Sequence, residues 1–340
     1  MILVTGATGF IGEQLVRTLL QKEERLRLLV RSPERAAALF GPGGDGLEIA
    51  RGDLTDPASI QRALDGVERV YHLASRISFQ APLARMRAVN VEGTRNLMEA
   101  CRQAGVRRVL HMSSIAAGGP AVRGPDGRYR PRTEADPPAP LADAYGQTKW
   151  EQEQLVLTYP AQGVEAVLVR PSSVFGPGDP AGVNTLLWMI KRGRLPFYLG
   201  SAQGPVNLVF IRDLIHGTIA AMERGRSGEI YNLVGPNLTQ EQLFGLLAQV
   251  SGGRAPFWTM PTPALLGLAG LVTLSSRLAL GRRSLVHPHD VRNWTAPWMI
   301  SDEKARRELG FTQTDLAAAL RETLAWLSQH RSAGAPVHVE

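Results

Sequence analysis

Met1-Ile-Leu-Val-Thr-Gly-Ala-Thr-Gly-Phe-Ile-Gly12 opens the chain. A short apolar strand runs directly into three glycines spaced by threes, Gly6, Gly9 and Gly12. Behind them Ile11, Leu15, Leu19 and Leu20 fall on one helical face. A strand, a glycine turn and a helix N-terminus together make a cradle for a pyrophosphate. Gly6 allows the tight turn, Gly9 lets backbone N–H groups approach the phosphates, and Gly12 lets the helix pack close on the strand. The spacing is one residue off the commoner Gly-x-Gly-x-x-Gly, so the strand–turn–helix context carries the reading rather than the glycines alone. Thr5, Thr8, Phe10 and Ile11 belong to the same turn and are expected to line the cofactor.

Working outward, strand and helix patterns alternate to residue 112. Strands are expected at Ile2–Thr5, Leu26–Val30, Leu47–Ala50, Arg69–Leu73 and Arg108–Met112. Helices are expected at Ile11–Gln21, Pro33–Phe40, Pro57–Leu64 and, as one unit, Leu83–Ala104. Alternating βα units with short connections imply an α/β fold, a Rossmann-type doubly wound parallel sheet. After a Gly/Pro/Arg-rich loop over 118–140 come a helix at Asp143–Thr158 and a strand at Val164–Val169. The pattern then loosens, through an apolar stretch at Asn207–Ile211, a strand at Glu229–Val234 and helices near Gln240–Ser251 and Leu316–Gln329. The expected division is a dinucleotide domain over 1–175, a smaller C-terminal substrate lobe over 176–330 with some elements returning to the main sheet, and a flexible tail over 331–340.

The 340 residues are 44% hydrophobic, as in an ordinary globule, and carry a formal net charge of +7. Only Lys22, Lys149, Lys191 and Lys304 are lysines; the arginines are scattered, with no run interleaved with aromatics, so no nucleic-acid partner is expected. A modest positive field favours an anionic cofactor. The single cysteine, Cys101, allows no intrachain disulfide and suits a reducing, cytoplasmic setting. With a strand starting at Met1, no leader peptide is expected. His287-Pro-His289-Asp290 has metal-ligand residue types but no second cluster to complete a site, so no metal is expected.

The end of the second strand selects the cofactor. An acidic residue there would accept from a ribose 2′-OH. This chain has Val30-Arg31-Ser32-Pro33-Glu34-Arg35 instead. A guanidinium pairs bidentately with a 2′-phosphate, so Arg31 and Arg35 favour NADP(H), with NAD(H) as the alternative. Asp53 is placed to accept from the adenine amino group and Leu54 to pack on the ring, while Asp56 caps the next helix before Pro57. Leu73, Ala74 and Ser75 end the fourth strand, where small residues let the cofactor pass.

Tyr145-Gly-Gln-Thr-Lys149 carries the chemistry. A spacing of four puts both side chains on one helical face. An ammonium near the phenol is expected to favour the phenolate and to pull its pKa down. Ser114, at the carboxyl end of the fifth strand, could hydrogen-bond a carbonyl oxygen, with Ser113 lying nearer the cofactor backbone; the two assignments could be reversed.

Taken in order, Thr5-Gly6…Gly9…Gly12, Asp53-Leu54, Asn90-Val-Glu-Gly93-Thr94, Ser114, Tyr145…Lys149 and Arg170-Pro171-Ser-Ser-Val-Phe-Gly176-Pro177-Gly178 resemble the extended short-chain dehydrogenase/reductases. The likeness covers residues 1–235, and Trp298…Trp326 is similar to that family's C-terminus. It implies that Tyr145 exchanges a proton with the substrate oxygen, Lys149 binds the nicotinamide ribose and tunes Tyr145, and Ser114 orients the carbonyl. It also implies a supporting or relay role for Asn90, and a nicotinamide wall at Pro171, Ser173 and Val174. Family habit implies a homodimer through the 83–104 and 143–158 helices.

Two departures narrow the branch. Dehydratases of this kind carry Asp-Glu after the Ser/Thr; here Ile115-Ala116 stand there. Nucleotide-sugar epimerases carry Arg-Asp before the late apolar strand; here Val206-Asn207 stand there. The look is similar to dihydroflavonol reductase-like and 3β-hydroxysteroid dehydrogenase-like members, which implies an oxidoreductase that interconverts a ketone or aldehyde and an alcohol on a mostly apolar small molecule. A sugar or nucleotide-sugar epimerase is the first alternative, and a non-catalytic NADP-binding regulator the second. The apolar Ala264–Leu274 segment is too short to span a bilayer. It reads either as a buried helix roofing the pocket or as an exposed helix docking on a membrane or a partner.

Overall fold

A computed structural model describes residues 1–78, 81–180, 182–280 and 287–330, with 277–280 as backbone only. The expected tail over 331–340 lies outside the described residues. The first half alternates as the glycine turn implied: β1 (Ile2–Thr5), α1 (Phe10–Gln21), β2 (Leu26–Val30), α2 (Pro33–Phe40), β3 (Leu47–Arg51), α3 (Pro57–Ala63) and β4 (Arg69–His72). Then come α4 (Leu83–Arg87), α5 (Gly93–Gln103), β5 (Arg108–Met112), a short α6 (Ile115–Gly118), a small hairpin β6 (Val122–Arg123) with β7 (Tyr129–Arg130), and α7 (Ala144–Val156). Local chemistry starts these helices where expected. Ser32 caps α2 and Asp56 caps α3, each followed by a proline at the first turn.

The second half holds β8 (Glu165–Pro171), β9 (Ser173–Phe175), α8 (Val183–Lys191), β10 (Phe197–Leu199), β11 (Pro205–Phe210), α9 (Ile211–Arg224), β12 (Ile230–Leu233), β13 (Asn237–Thr239) and α10 (Gln240–Ser251). It ends with β14 (Trp258–Met260), α11 (Thr262–Leu280), α12 (Pro288–Thr295), α13 (Glu303–Leu309) and α14 (Leu316–His330).

Seven strands form one sheet in the order β12-β8-β5-β4-β1-β2-β3, all neighbours parallel. The chain starts in the middle at β1, winds out to β3, and crosses back to β4. That reversal opens a crevice at the carboxyl ends of β1 and β4, where doubly wound sheets bind ligands. Successive strand residues point to opposite faces: Ile2 and Val4 join the core under α1 and α9, and Leu3 joins the core under α3 and α5. Cys101 is buried in that second core, which pushes its thiol pKa up. β12 comes back from the second half to the sheet edge, whereas β9, β11 and β13 make a separate three-stranded sheet and β10 pairs with β14.

The continuous helix expected over Leu83–Ala104 is a correction. It is broken into α4, a π-helical turn at Ala88–Glu92, and α5. The wider turn carries Asn90, whose carboxamide is committed to tertiary partners (below), and leads into Gly93. A Cβ on Gly93 would come within 2.9 Å of the Leu54 side chain. Single π turns inside helices mark such places.

Candidate active site

The glycine turn is built from close approaches. Gly6 has φ +73°, and a Cβ there would lie 2.7 Å from the Ala74 nitrogen. A Cβ on Gly12 would lie 2.0 Å from the Gly6 carbonyl oxygen, so α1 seats on the turn only with glycine at that position. Gly9 is exposed and caps α1 with its own backbone, leaving the first N–H groups of the helix facing the crevice. Thr8, Phe10 and Ile11 are half-buried at this rim, Phe10 close to Gly178 of the loop after β9. Thr5 lies behind it. Its hydroxyl meets His72 Nδ1 at 2.8 Å and accepts from the Ala74 N–H at 3.2 Å, bracing β1 against the end of β4. Across the crevice Leu73, Ala74 and Ser75 are half-buried, and the hydroxyls of Ser75 and Ser172 are buried without a partner. Orphaned donors and a glycine cradle at the carboxyl edge of the sheet fit a dinucleotide lying across it.

At the adenosine end, Arg31 and Arg35 are exposed and in no ion pair among the described residues. Arg51 was missed by the sequence reading. It stands opposite Val30 in the β2–β3 register, exposed beside Arg31. Only the parallel pairing brings it there. Asp53 accepts from the Thr55 N–H and hydroxyl at 2.9 and 2.8 Å, which holds its carboxylate at the crevice edge. Leu54 is largely buried and packs into the core beneath.

At the other end, Ser114 caps α6, its hydroxyl accepting from Ala116 N–H at 3.2 Å. Asp143 caps α7 by accepting from Gly146 N–H at 2.7 Å, and this sets Tyr145 in the first turn. Tyr145 and Ser114 share a side-chain hydrogen bond. The expected lowering of the Tyr145 pKa is a correction: burial raises it, the Ser114 bond opposes that, and Asp143 adds to it. The Lys149 ammonium, 1% exposed, donates to the Met112 carbonyl at 2.8 Å. Burial drives the Lys149 pKa down to about 7, with Glu153 opposing.

Asn90 sits one step back from these groups. It accepts from Arg76 N–H at 2.7 Å and donates to the Arg76 carbonyl and to Thr148 Oγ1, both at 3.1 Å. It therefore ties the loop after β4 to α7 at Thr148, between Tyr145 and Lys149. Ser113 is buried and donates to Glu153 Oε1 at 2.6 Å. Glu153 also accepts from Arg170 at 2.7 and 2.5 Å, a bidentate ion pair that is almost wholly buried. Neither Glu153 nor Arg170 was assigned a role from sequence. The available signal was spacing, since Tyr145, Lys149 and Glu153 recur every four residues along one face of α7. Beside Lys149 lie the buried rings of His72 and His111, centroids 5.1 Å apart. Burial and the Lys149 charge hold His72 down at about 3 and His111 well below its usual value.

Pro171 is buried at the end of β8, and Ser173 is exposed and Val174 half-buried on β9. A cleft of about 430 Å³ opens at the start of α7, lined by Leu83, Asp143, Gln147, His287 and His289 among others. His287 caps α12 through its ring and stacks on His289 at 5.0 Å. Among the described residues no group of His, Cys, Asp and Glu could hold a metal ion.

A parallel sheet with a glycine cradle at its switch point, and a serine, tyrosine and lysine at the neighbouring strand end, define an NAD(P)-dependent oxidoreductase of the extended short-chain type. The chain belongs to the NAD dependent epimerase/dehydratase family, whose model matches residues 2–234. It is 34% identical over 333 residues to sterol demethylase protein B of Methylococcus capsulatus, covering 96% of this chain and 98% of that one. It is 32% identical to a putative dihydroflavonol 4-reductase of Synechocystis, covering 96% and 94%. Among solved structures, that of gox2253 superposes with a TM-score of 0.79 at 32% identity, covering 97% and 98%.

Proposed function

We propose that this protein is an NADP(H)-dependent oxidoreductase interconverting a ketone or aldehyde and an alcohol on a mostly apolar, sterol- or dihydroflavonol-like molecule. The observation that carries the reading is the Ser114–Tyr145 hydrogen bond at the carboxyl end of β5, with Lys149 one turn further along α7. When bound in the crevice, the nicotinamide would supply the hydride chemistry at the substrate carbon. Ser114 donates to the substrate oxygen and orients the carbonyl. Tyr145, held protonated by burial, gives that oxygen its proton, which favours reduction as the direction for which the chain is poised. Lys149 would hold the nicotinamide ribose once its ammonium turns from the Met112 carbonyl. Asn90 positions Thr148 and hence the helix that carries both.

The NADP preference rests on Arg31, Arg35 and Arg51, three guanidinium groups at one edge with no described ion pair. An apolar substrate is supported by Ile115, which packs with Val234, Ile300 and Trp298 directly behind Ser114. It is supported too by the printed names of the sterol and dihydroflavonol relatives. A nucleotide-sugar epimerase is less well supported. Asn207 spends its carboxamide on Gly235 and Asn237, and Arg212 is turned to Glu322 at 2.6 Å, so neither is free for a substrate phosphate. A homodimer through the outer faces of 83–104 and 143–158 belongs to the same reading; within one chain these segments are already joined by the Arg87–Glu151 ion pair.

The test is NADPH consumption with a panel of sterol and flavonoid ketones, aldehydes and nucleotide sugars, run beside Tyr145→Phe. Turnover of an apolar ketone that falls about 100-fold or more in the variant is expected. Equal turnover by the variant overturns the catalytic assignment. Epimerisation of a nucleotide sugar without net NADPH loss moves the protein to the other class.

A further inference from the structure

Helix α11 is only half covered. Leu265 and Ala269 are buried with Val291 against Phe197, Leu199 and Met260. At about 100° per residue, Ala264, Gly267, Leu268, Leu271, Leu274 and Ser275 share the opposite face, and all six are exposed. Leu268, Leu271 and Leu274 are 50%, 67% and 54% exposed. A water-facing helical surface ordinarily carries charge. From Thr262 to Ser276 this helix carries none. The segment leading into it adds two aromatic rings, Phe257 at 81% exposure and Trp258 at 42%. Contiguous exposed apolar surface of this kind marks a docking site.

The surrounding charge says what covers it. Between Asp179 and Asp213, and again between Glu241 and Asp290, the chain has no acidic residue. The fold packs these two stretches together: β10 pairs with β14, Phe257 N–H donates to the Pro196 carbonyl, and Arg254 N–H donates to the Ile190 carbonyl. Lys191, Arg192, Arg194 and Arg254 all stand exposed there, in no ion pair among the described residues. Arg192 and Arg194 lie over the Trp188 ring at 4.8 and 4.9 Å. A second copy of the chain would bring the same cations against one another, because a twofold contact is self-complementary. An apolar strip with aromatics and a one-sign basic border matches an anionic bilayer.

We propose that the α11 face, with Phe257 and Trp258, docks on an anionic lipid surface. The leucines and rings enter the boundary between headgroups and acyl chains, and the cations meet lipid phosphates. No helix among the described residues is long and apolar enough to cross a membrane, so the contact is one of lying on the surface. The docking stands on this surface alone and does not depend on the substrate reading. It does place a bilayer next to the lobe whose His287 and His289 line the cleft beside α7.

The experiment is flotation of the full chain with phosphatidylcholine vesicles containing about a third phosphatidylglycerol, and with phosphatidylcholine alone. The wild type is expected to float with the anionic vesicles. Binding is expected to fall about tenfold or more in Leu271→Asp and severalfold in Arg192→Glu/Arg194→Glu or at high salt. Because Leu271 is exposed, its variant should keep the wild-type melting temperature, which separates lost docking from lost folding. A wild type that stays unbound at about millimolar lipid overturns the proposal, as does Leu271→Asp floating as well as the wild type. A dimer in sedimentation velocity that Leu271→Asp dissolves assigns the face to a second copy and overturns it equally.

Discussion

Replacing Lys149 by methionine should make the protein more stable while removing its activity, and the gain should depend on pH. The ammonium is buried, donates to the Met112 carbonyl, is favoured by the Glu153 charge, and has its pKa lowered by burial from 10.5 to about 7. Between these two values the folded chain binds fewer protons than the unfolded chain, so stability rises as pH rises from about 7 towards 10.5. A shift of this size corresponds to about 5 kcal/mol at the acid end of the window. It leaves about 4 kcal/mol at pH 7 and about 2 kcal/mol at pH 9. Methionine has nearly the same shape and no charge to desolvate. It forfeits the bond to Met112, a loss of about 1 kcal/mol that does not vary with pH. The stability difference between variant and wild type should therefore shrink by about 2 kcal/mol between pH 7 and pH 9, a few degrees in melting temperature for a chain this long. Urea unfolding followed by tryptophan fluorescence at pH 7, 8 and 9, on both proteins, measures it, and other titrating groups cancel in the difference. A difference that is flat with pH would refute the reasoning, because it would mean that Lys149 is not desolvated in the fold.

Gly12→Ala forces a Cβ to within 2.0 Å of the Gly6 carbonyl, so the turn must open; about 1–3 kcal/mol of stability and at least tenfold in NADPH affinity should be lost, read by thermal melts and calorimetric titration. Arg31→Asp should move the kcat/KM preference from NADPH towards NADH by about 10–100-fold, the size of one or two charge-assisted hydrogen bonds, and an unchanged ratio counts against Arg31 as the reader of the 2′-phosphate. Glu153→Gln leaves the buried Arg170 guanidinium without its counter-charge and should destabilise the fold by about 3–5 kcal/mol; a loss below about 1 kcal/mol in a melt would show that the pair contributes little.

Much of the nucleotide half was legible because its signals are local. Strand and helix periods differ, prolines and capping residues mark helix starts at Ser32 and Asp56, and the glycine spacing carries its own steric meaning. The Leu83–Ala104 segment was misread as one helix because its apolar period continues through the π turn. The reason for the turn, Asn90 reaching Arg76 and Thr148, lies elsewhere in the chain. Glu153 and Arg170 escaped because a charged residue at helical spacing looks the same whether it faces water or a buried partner. Arg51 escaped because its relation to Arg31 exists only through the register of β2 and β3. The Ala264–Leu274 segment was left between a buried and an exposed helix, and it is both, one face covered and one bare.

By itself the sequence determined the class of fold, the glycine cradle and the spacing of Tyr145 and Lys149, since each follows from backbone sterics and helical period within a few residues. Tertiary structure decided where those groups point. It turned the Lys149 ammonium to Met112, left Tyr145 to be governed by burial and Ser114, buried the Glu153–Arg170 pair and left the leucines of α11 in water. Whether a side chain is desolvated, paired or exposed depends on which distant segment packs against it, and local pattern does not contain that information.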